Sequence, residues 1–368
     1  MSDKTEMNLF MGPQHPSMHG LWSLRLTIDG ETVINSDCQI GYLHRSYEKL
    51  LANRTYEQGI PITDRLCYVE SHSYSTAYTH AIEGIFGVEP PEKANWIRIM
   101  TLEIQRIASH CLWLAAMSVD LGQLTMLIYP MTARELLINL LETITGARMT
   151  YNYARIGGVY KDLPHDITRK VENSLEEFTR LHGEFLDLLE EAQIFRMRTE
   201  GIGILSKEDA LSFGVSGPML RASGVPFDVR KEDPYFGYDQ LKFKVPTRTE
   251  GDSFARYRVR LEEMEISMGL VLQALDKYNE LKPSDPYRLD KIPRRPPKGR
   301  IYRRIEAARG EAGFFIESDG TPSPYRVRIR SPTFNNLAPL PQLIKGGKLA
   351  DIPAVMGTVD LCVGDLDK

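Results

Sequence analysis

A mainly α-helical protein with small β elements drawn from both ends, an α+β fold, is what this sequence predicts. Three observations carry the prediction. Residues 21 to 35, LWSLRLTIDGETVIN, alternate Leu24, Leu26 and Ile28 with polar neighbours and turn at Asp29-Gly30, the pattern of a two-stranded hairpin. From about residue 42 to 280, apolar residues recur at spacings of three and four, the helical period. Near the other end YRVRIR, 325 to 330, alternates again as a strand.

The elements follow in order. A hairpin region spans 8 to 40 and a helical bundle spans 42 to 280. Within the bundle, KANWIRIMTLEIQRIASHCLWLAAM repeats Ile97, Met100, Ile104, Ile107, Cys111 and Leu114 along one buried face. After Pro164, a helix keeps Ile167, Val171, Leu175, Phe178, Leu181, Phe185 and Leu188 in step, with charged residues between them. Another opens at Ser253, read as its N-cap, with Tyr257, Leu261, Met264, Met268, Val271 and Leu275 on one stripe. Between these two, the Gly- and Pro-rich stretch from Ser216 to Pro246 fits neither period and reads as a long ordered loop or a short strand pair. A Pro-rich connection over 281 to 300 leads to a β and loop segment over 301 to 368. No repeat or low-complexity tract divides the chain, so 1 to 368 reads as one domain.

The 368 residues, 42% hydrophobic, can bury a large core, and the net charge of -4 supplies no basic field for nucleic acid. Four scattered cysteines, Cys38, Cys67, Cys111 and Cys362, make no disulfide framework and fit a reducing compartment. No apolar run approaches the ~20 residues needed to span a bilayer. Any membrane contact is therefore expected through partners.

Several polar clusters could carry chemistry. In GPQHPSMHG, 12 to 20, two histidines sit four apart, but Pro13, Pro16 and Gly20 break any helix that would pair them on a metal. In IGYLHRSYEKL, Arg45 reads equally as a solvated cation worth about 0.2 to 1 kcal/mol in a surface ion pair or as a charge set beside a redox centre. His72 and His80 lack ligand spacing and read as structural. DRLCYVE places Cys67 three before Glu70, and VDLCVGDLDK places Cys362 three before Asp365. Each is a weak echo of the Cys-x-x-Cys pair that closes on a soft ion.

Together GPQHPSMHG, IGYLHRSYEKL, NRTYEQGIPITDRLCYVES, IASHCLWLAAMSVDLGQLT, TGARMTYNYARIGGVYKDLP, SGPMLRASGVPFDVRKEDPYFGY, EAARGEAGFFIESDG and GTVDLCVGDLDK resemble the catalytic-core, quinone-site D-type subunit of respiratory complex I, from about residue 8 to residue 368. That family is homologous to the large subunit of nickel-iron hydrogenases, so the resemblance implies a bundle of that type. It also implies that Cys67, Glu70, Cys362 and Asp365 occupy the two former Cys-x-x-Cys positions. With one thiolate of each pair replaced by a carboxylate, a soft nickel-iron centre loses its donors and no metal is expected. The retained cysteines are expected to line the old cavity, reused for the head group of a lipid electron acceptor.

The resemblance further implies that His19 and Tyr68 hold the acceptor head group between them, and that Asp120 pairs with His19. Reducing a quinone by two electrons creates a dianion that takes two protons, which suits an imidazole and a phenol. Arg45 corresponds to an Arg lying against the tetranuclear iron-sulfur cluster of an adjacent small subunit. One departure is Thr150, followed by Tyr151, where relatives commonly carry a His near that cluster. With the two cysteines it points toward the archaeal reduced-deazaflavin:methanophenazine dehydrogenases. The implied protein is a peripheral subunit on the cytoplasmic face of the membrane. It binds no cofactor itself, and its partners are the iron-sulfur small subunit, other peripheral-arm subunits and a membrane-arm subunit near the acceptor entrance. Quinone or methanophenazine is the substrate, with electrons from NAD(P)H or a reduced deazaflavin. The alternative is a hydrogenase- or sulfur-reductase-like large subunit retaining a modified metal at the four positions.

Overall fold

The computed structural model describes residues 6 to 15 and 20 to 368. The expected hairpin is present as β2 (Ser23–Asp29) and β3 (Thr32–Gln39), and β1 (Glu6–Met11) adds a third antiparallel strand in the order β1-β2-β3. Leu24, Leu26, Ile28 and Val33 share the buried face.

The helical segment begins with α1 (Tyr47–Ala52) and α2 (Tyr56–Thr63), the latter opened by a capping box between Thr55 and Gln58. It continues through α3 (Ser71–Phe86), α4 (Glu92–Asp120) and α5 (Thr125–Thr145). The minimal pair β4 (Ala154–Arg155) and β5 (Gly158–Val159) precedes α6 (Ile167–Glu190), whose apolar stripe follows the expected register from Ile167 to Phe185; in the last turn Leu189 is buried and the expected Leu188 is exposed. Helix α4 is the axis of the molecule. It is buried on nearly every side, which explains why its sequence is apolar beyond a single stripe. The charges it carries are paired: Arg98 forks onto Glu83 at 2.6 and 2.9 Å, and Glu103 receives Arg230 at 3.0 Å. Removing one partner from such a pair strands a buried charge, at about 3 to 5 kcal/mol.

Two expectations are corrected and a third, the C-terminal strand, is borne out and extended. The stretch from Ser216 to Pro246 contains neither a strand pair nor one long loop. It follows α7 (Gln193–Met197) and α8 (Lys207–Ser212) and holds α9 (Pro218–Ala222), α10 (Val229–Glu232) and a 3-10 turn at Tyr238–Gln240. Arg221 and Arg230 anchor it in the core through Glu263, Glu306, Asp228 and Glu103. Helix α11 (Ser253–Glu280) packs along α4, but its N-cap is Asp252, whose carboxylate accepts from the Ala255 N–H at 2.7 Å. Ser253 is already the first helical residue. The C-terminal strand is also the third of a sheet, β6 (Gly299–Ala307), β7 (Gly310–Ser318) and β8 (Arg326–Arg330), all antiparallel.

The tail folds into α12 (Pro332–Leu337), α13 (Leu340–Ile344), α14 (Ile352–Val359) and α15 (Val363–Leu366). Their apolar residues close with the N-terminal sheet into one core that includes Trp22, Leu24, Leu26, Val33, Leu340, Ile344, Val355 and Val363. Each fully buried large side chain contributes about 1.5 to 3 kcal/mol. The two chain ends are thereby held together beside α4. No helix among the described residues is long and apolar enough to cross a membrane.

Candidate functional site

The site grows from the end of α2. A turn over Cys67–Glu70 is closed by the Glu70 N–H donating to the Cys67 carbonyl at 3.1 Å. It turns Cys67 and Glu70 inward, both buried, and leaves Tyr68 59% exposed. The second segment, 360 to 367, meets this turn backbone to backbone: a Cβ on Gly364 would sit 2.5 Å from the Leu66 carbonyl oxygen. The close approach sets the segment of Cys362 and Asp365 against that of Cys67 and Glu70.

What fills the space between them is a guanidinium. Arg309 sits in the tight turn between β6 and β7. A Cβ on the following Gly310, whose φ is +131°, would strike Ser216 at 2.5 Å, so glycine is required there. Asn336 holds the Arg309 carbonyl at 3.0 Å. The side chain donates from Nη1 to Glu70 Oε1 at 2.6 Å, from Nη2 to Asp360 Oδ1 at 2.8 Å and from Nε to the Asp360 carbonyl at 3.0 Å, and Nη1 lies 3.7 Å from Cys67 Sγ. Glu70 Oε2 accepts from the Ala308 N–H at 2.9 Å. Asp365 lies apart from that pair and accepts from the Tyr74 hydroxyl.

The electrostatics follow from burial. The Glu70 and Asp365 carboxyls are both pushed up by desolvation, and Arg309 pulls each part of the way back. The Cys67 thiol is pushed well above its usual range by burial and by the adjoining Cys362 thiol. Neither effect favours a thiolate. Among the described residues no group of three or more His, Cys, Asp or Glu side chains is disposed to hold a metal ion, and a buried cation between Cys67 and Glu70 does not fit a divalent metal.

Over this cluster lies a pocket of about 150 Å³, walled by Trp22, Val69, Leu112, Trp113, Ala116, Met117, Met356 and Leu361, with Tyr68, Arg309 and Asp360 supplying polar atoms. A cavity of this size accepts an aromatic ring. The Trp113 Nε1–H donates to the Gly357 carbonyl at 2.6 Å, fixing α14 against α4 along the wall. The Tyr68 phenol is raised, first by partial desolvation and then by the thiols behind it, so at neutral pH it is a hydrogen-bond donor.

The sequence-derived residues are distributed as follows. Tyr68 lines the pocket. Cys67 and Cys362 do not, which corrects the expectation that they line the cavity: they are buried behind it, and Tyr68, Val69 and Leu361 form the wall instead. Asp120 is the last residue of α4, three and four beyond the wall residues Met117 and Ala116 and so on their side of the helix. His19 lies outside the described residues. Gly20, which follows it, packs against Val363, beside Cys362. Arg45 is exposed, on a loop pinned to the chain end by Asp367, which accepts from the Gly41 and Leu43 N–H groups at 2.9 and 2.8 Å. His72 is buried against the Thr101 hydroxyl at 2.8 Å, a structural residue.

Sequence reasoning missed Arg309, Asp360 and Trp22. Arg309 belongs to EAARGEAGFF and Asp360 to VDLC, so for both the signal was membership of a motif.

The fold that carries this pocket is that of a subunit of the respiratory-chain dehydrogenases. The family model described as the respiratory-chain NADH dehydrogenase 49 Kd subunit matches residues 120 to 293 and 285 to 368. The chain is 40% identical to the NADH-quinone oxidoreductase D subunit of Trichlorobacter lovleyi, over 100% of both chains. It is 43% identical to the same D subunit of Carboxydothermus hydrogenoformans, over 98% of both. Among solved structures, a chain of the membrane-bound sulfane sulfur reductase, an archaeal respiratory membrane complex, superposes with a TM-score of 0.94 at 37% identity over 100% of both chains. The chain belongs to the 49 kDa, or D-type, family of respiratory-chain NADH dehydrogenase subunits.

Proposed function

We propose that this chain is the peripheral-arm subunit that builds, with an iron-sulfur small subunit, the site where electrons leave a tetranuclear cluster and reduce a membrane quinone or methanophenazine in an ion-pumping complex. The observation that carries this reading is the ring-sized pocket with the Tyr68 phenol and the Arg309–Asp360 pair on its wall. Two-electron reduction of a quinone or phenazine ring demands two protons. Tyr68 is the donor to one pole of the ring and His19, paired with Asp120, the donor to the other. Arg45 is the fixed cation facing the cluster of the small subunit. The exposed position of Arg45, on a loop braced by Asp367, supports a contact with a partner. The chain works at the cytoplasmic face, held to the membrane by partner subunits.

The donor, NAD(P)H or a reduced deazaflavin, docks on other subunits. Thr150 in place of the imidazole, together with Cys67 and Cys362, supports the archaeal phenazine branch. A second reading, a sulfur-reductase-like subunit with a modified metal at Cys67, Glu70, Cys362 and Asp365, draws support from the sulfane sulfur reductase likeness. The buried Arg309–Glu70 pair weighs against it. Extraction and mass analysis of the lipid that purifies with the complex tests the proposal. A quinone or methanophenazine in proportion to the chain supports it. Reduction of polysulfide with no response to either lipid contradicts it.

A further inference from the structure

One stretch of the chain carries a charge opposite to that of the whole. From Arg288 to Arg300 six cations, all exposed, stand against the single anion Asp290, in a chain whose net charge is -4. The stretch is fixed at both ends. Its first residues pair with the β4–β5 turn: the Val159 N–H donates to the Tyr287 carbonyl at 3.1 Å and the Leu289 N–H to the Gly157 carbonyl at 2.8 Å. A Cβ on Gly158, whose φ is +149°, would lie 2.3 Å from the Tyr287 carbonyl oxygen, so only glycine permits that approach. Farther on, Ile292 packs on the main core, Pro296 is buried, and strand β6 begins at Gly299. Pro293, Pro296 and Pro297 restrict the backbone between these anchors. The cations are therefore displayed on a backbone already ordered, which lowers the entropy that a partner must offset on docking.

Between this stretch, α2 and the β4–β5 hairpin lie two hollows of about 550 and 470 Å³, which share Glu57, Ile156 and Ile292 in their walls and so adjoin. Arg155 and Arg288 line the first, Arg294 and Arg295 the second. Arg155 is held in place, its Nη1–H donating to the Asn152 side-chain oxygen at 3.0 Å and its guanidinium lying 5.1 Å over the Tyr160 ring. Ile60, Ile156 and Phe86 of the lining belong to the buried core, so the hollows are partly apolar as well as cationic. We propose that they dock an acidic segment of a neighbouring subunit of the respiratory complex, its carboxylates meeting the arginines and an apolar side chain entering between them. The planar fork of arginine fits a carboxylate with two parallel hydrogen bonds. A bilayer is engaged by a surface that inserts apolar side chains into it, whereas the apolar residues here line concavities that receive one. Membership of the D-type family, and not the acceptor pocket, supplies the neighbouring subunit.

Treatment of the purified complex with a water-soluble carbodiimide is the test, because the reagent joins an amine to a carboxylate in contact with it, with loss of water. Lys291 and Lys298 are exposed amines of the same stretch. At low salt, cross-links from either should run to a segment of another subunit rich in Asp and Glu. Salt at about 1 M, which screens charges beyond about 3 Å, should suppress them. Arg294→Glu with Arg295→Glu should lower the affinity of that subunit for the rest of the complex by about tenfold or more, since like charges would then face each other. Arg294→Lys with Arg295→Lys keeps the charge and should cost less. The cross-links need no variant, so the proposal stays testable even if the Glu variant fails to assemble. No cross-link from either lysine to another subunit, or an unchanged affinity in the Glu variant, would overturn it. So would binding of the full chain to phosphatidylserine vesicles that the Glu changes abolish without weakening the complex, which would make the occupant a membrane.

Discussion

Arg309 Nη1 donates to Glu70 Oε1 at 2.6 Å with both side chains almost wholly shielded from water. Through this contact a cation that the fold itself supplies stands against Glu70 and Cys67, two of the four positions expected to correspond to metal ligands. Arg309→Met would leave Glu70 and Asp360 buried without their counter-charge and should destabilise the fold by about 3 to 5 kcal/mol. Glu70→Gln should cost less, since the amide oxygen still accepts from Arg309. Denaturant unfolding of the two variants checks the order. An Arg309→Met chain as stable as wild type would mean that the ion pair is not formed.

The same contact bears on nickel. Elemental analysis of the purified complex should find no nickel in proportion to this chain, and the double change Cys67→Ser, Cys362→Ser should leave acceptor reduction largely intact. Stoichiometric nickel lost on that substitution would revive the metal reading.

Acid should weaken the protein through its buried imidazoles. Burial, with Arg98 adding a smaller push, holds His72 down to about 3 in the fold, against 6.5 when unfolded. The unfolded chain therefore binds the extra proton first, and stability falls as pH drops from 6.5 toward 3. The contribution at stake is roughly 5 kcal/mol, fully present above pH 6.5. His80, also held to about 3, acts in the same direction. Unfolding free energies across this window should be flatter for His72→Gln than for wild type.

Arg45 offers an electrostatic prediction. If its charge faces the partner's cluster, Arg45→Met should lower the cluster's reduction potential, because the reduced cluster loses a stabilising cation. Asp367→Ala, which frees the Gly41 and Leu43 N–H groups, should produce a smaller shift of the same sign. A redox titration followed by electron paramagnetic resonance reads both, and an unmoved potential in Arg45→Met rejects the assignment.

The parts of the fold legible in the sequence were those with a sustained period. Helices α4, α6 and α11 repeat their apolar residues over many turns, and β2 with β3 alternates around Asp29-Gly30. Helices α9 and α10, of five and four residues, have no period to read. They are held by Arg221 and Arg230 on carboxylates far away in the chain, a tertiary effect. Strand β6 hid for a related reason: its Glu306 looks like a surface charge but is buried, accepting from Arg221 and from the Val229 N–H. In the site, Tyr68 and the two cysteine-carboxylate pairs were visible because motifs mark them. Arg309 was not, because its meaning depends on Glu70, 239 positions earlier. Trp22 and Asp360 carry a signal only once the pocket exists, as residues of its wall.

The turn after Cys67 presents its tyrosine, and not its thiol, to the pocket. Whether the acceptor is protonated there is decided by steady-state turnover of the purified complex with its native acceptor, compared between Tyr68→Phe and Cys67→Ser. Tyr68→Phe keeps the ring and removes one proton donor, so turnover should fall by something on the order of ten to a thousandfold while the cluster remains reducible. Cys67→Ser, at a residue buried behind the wall, should change turnover little. Near-normal turnover in Tyr68→Phe together with its loss in Cys67→Ser would put the chemistry on the thiol and refute the role given to Tyr68.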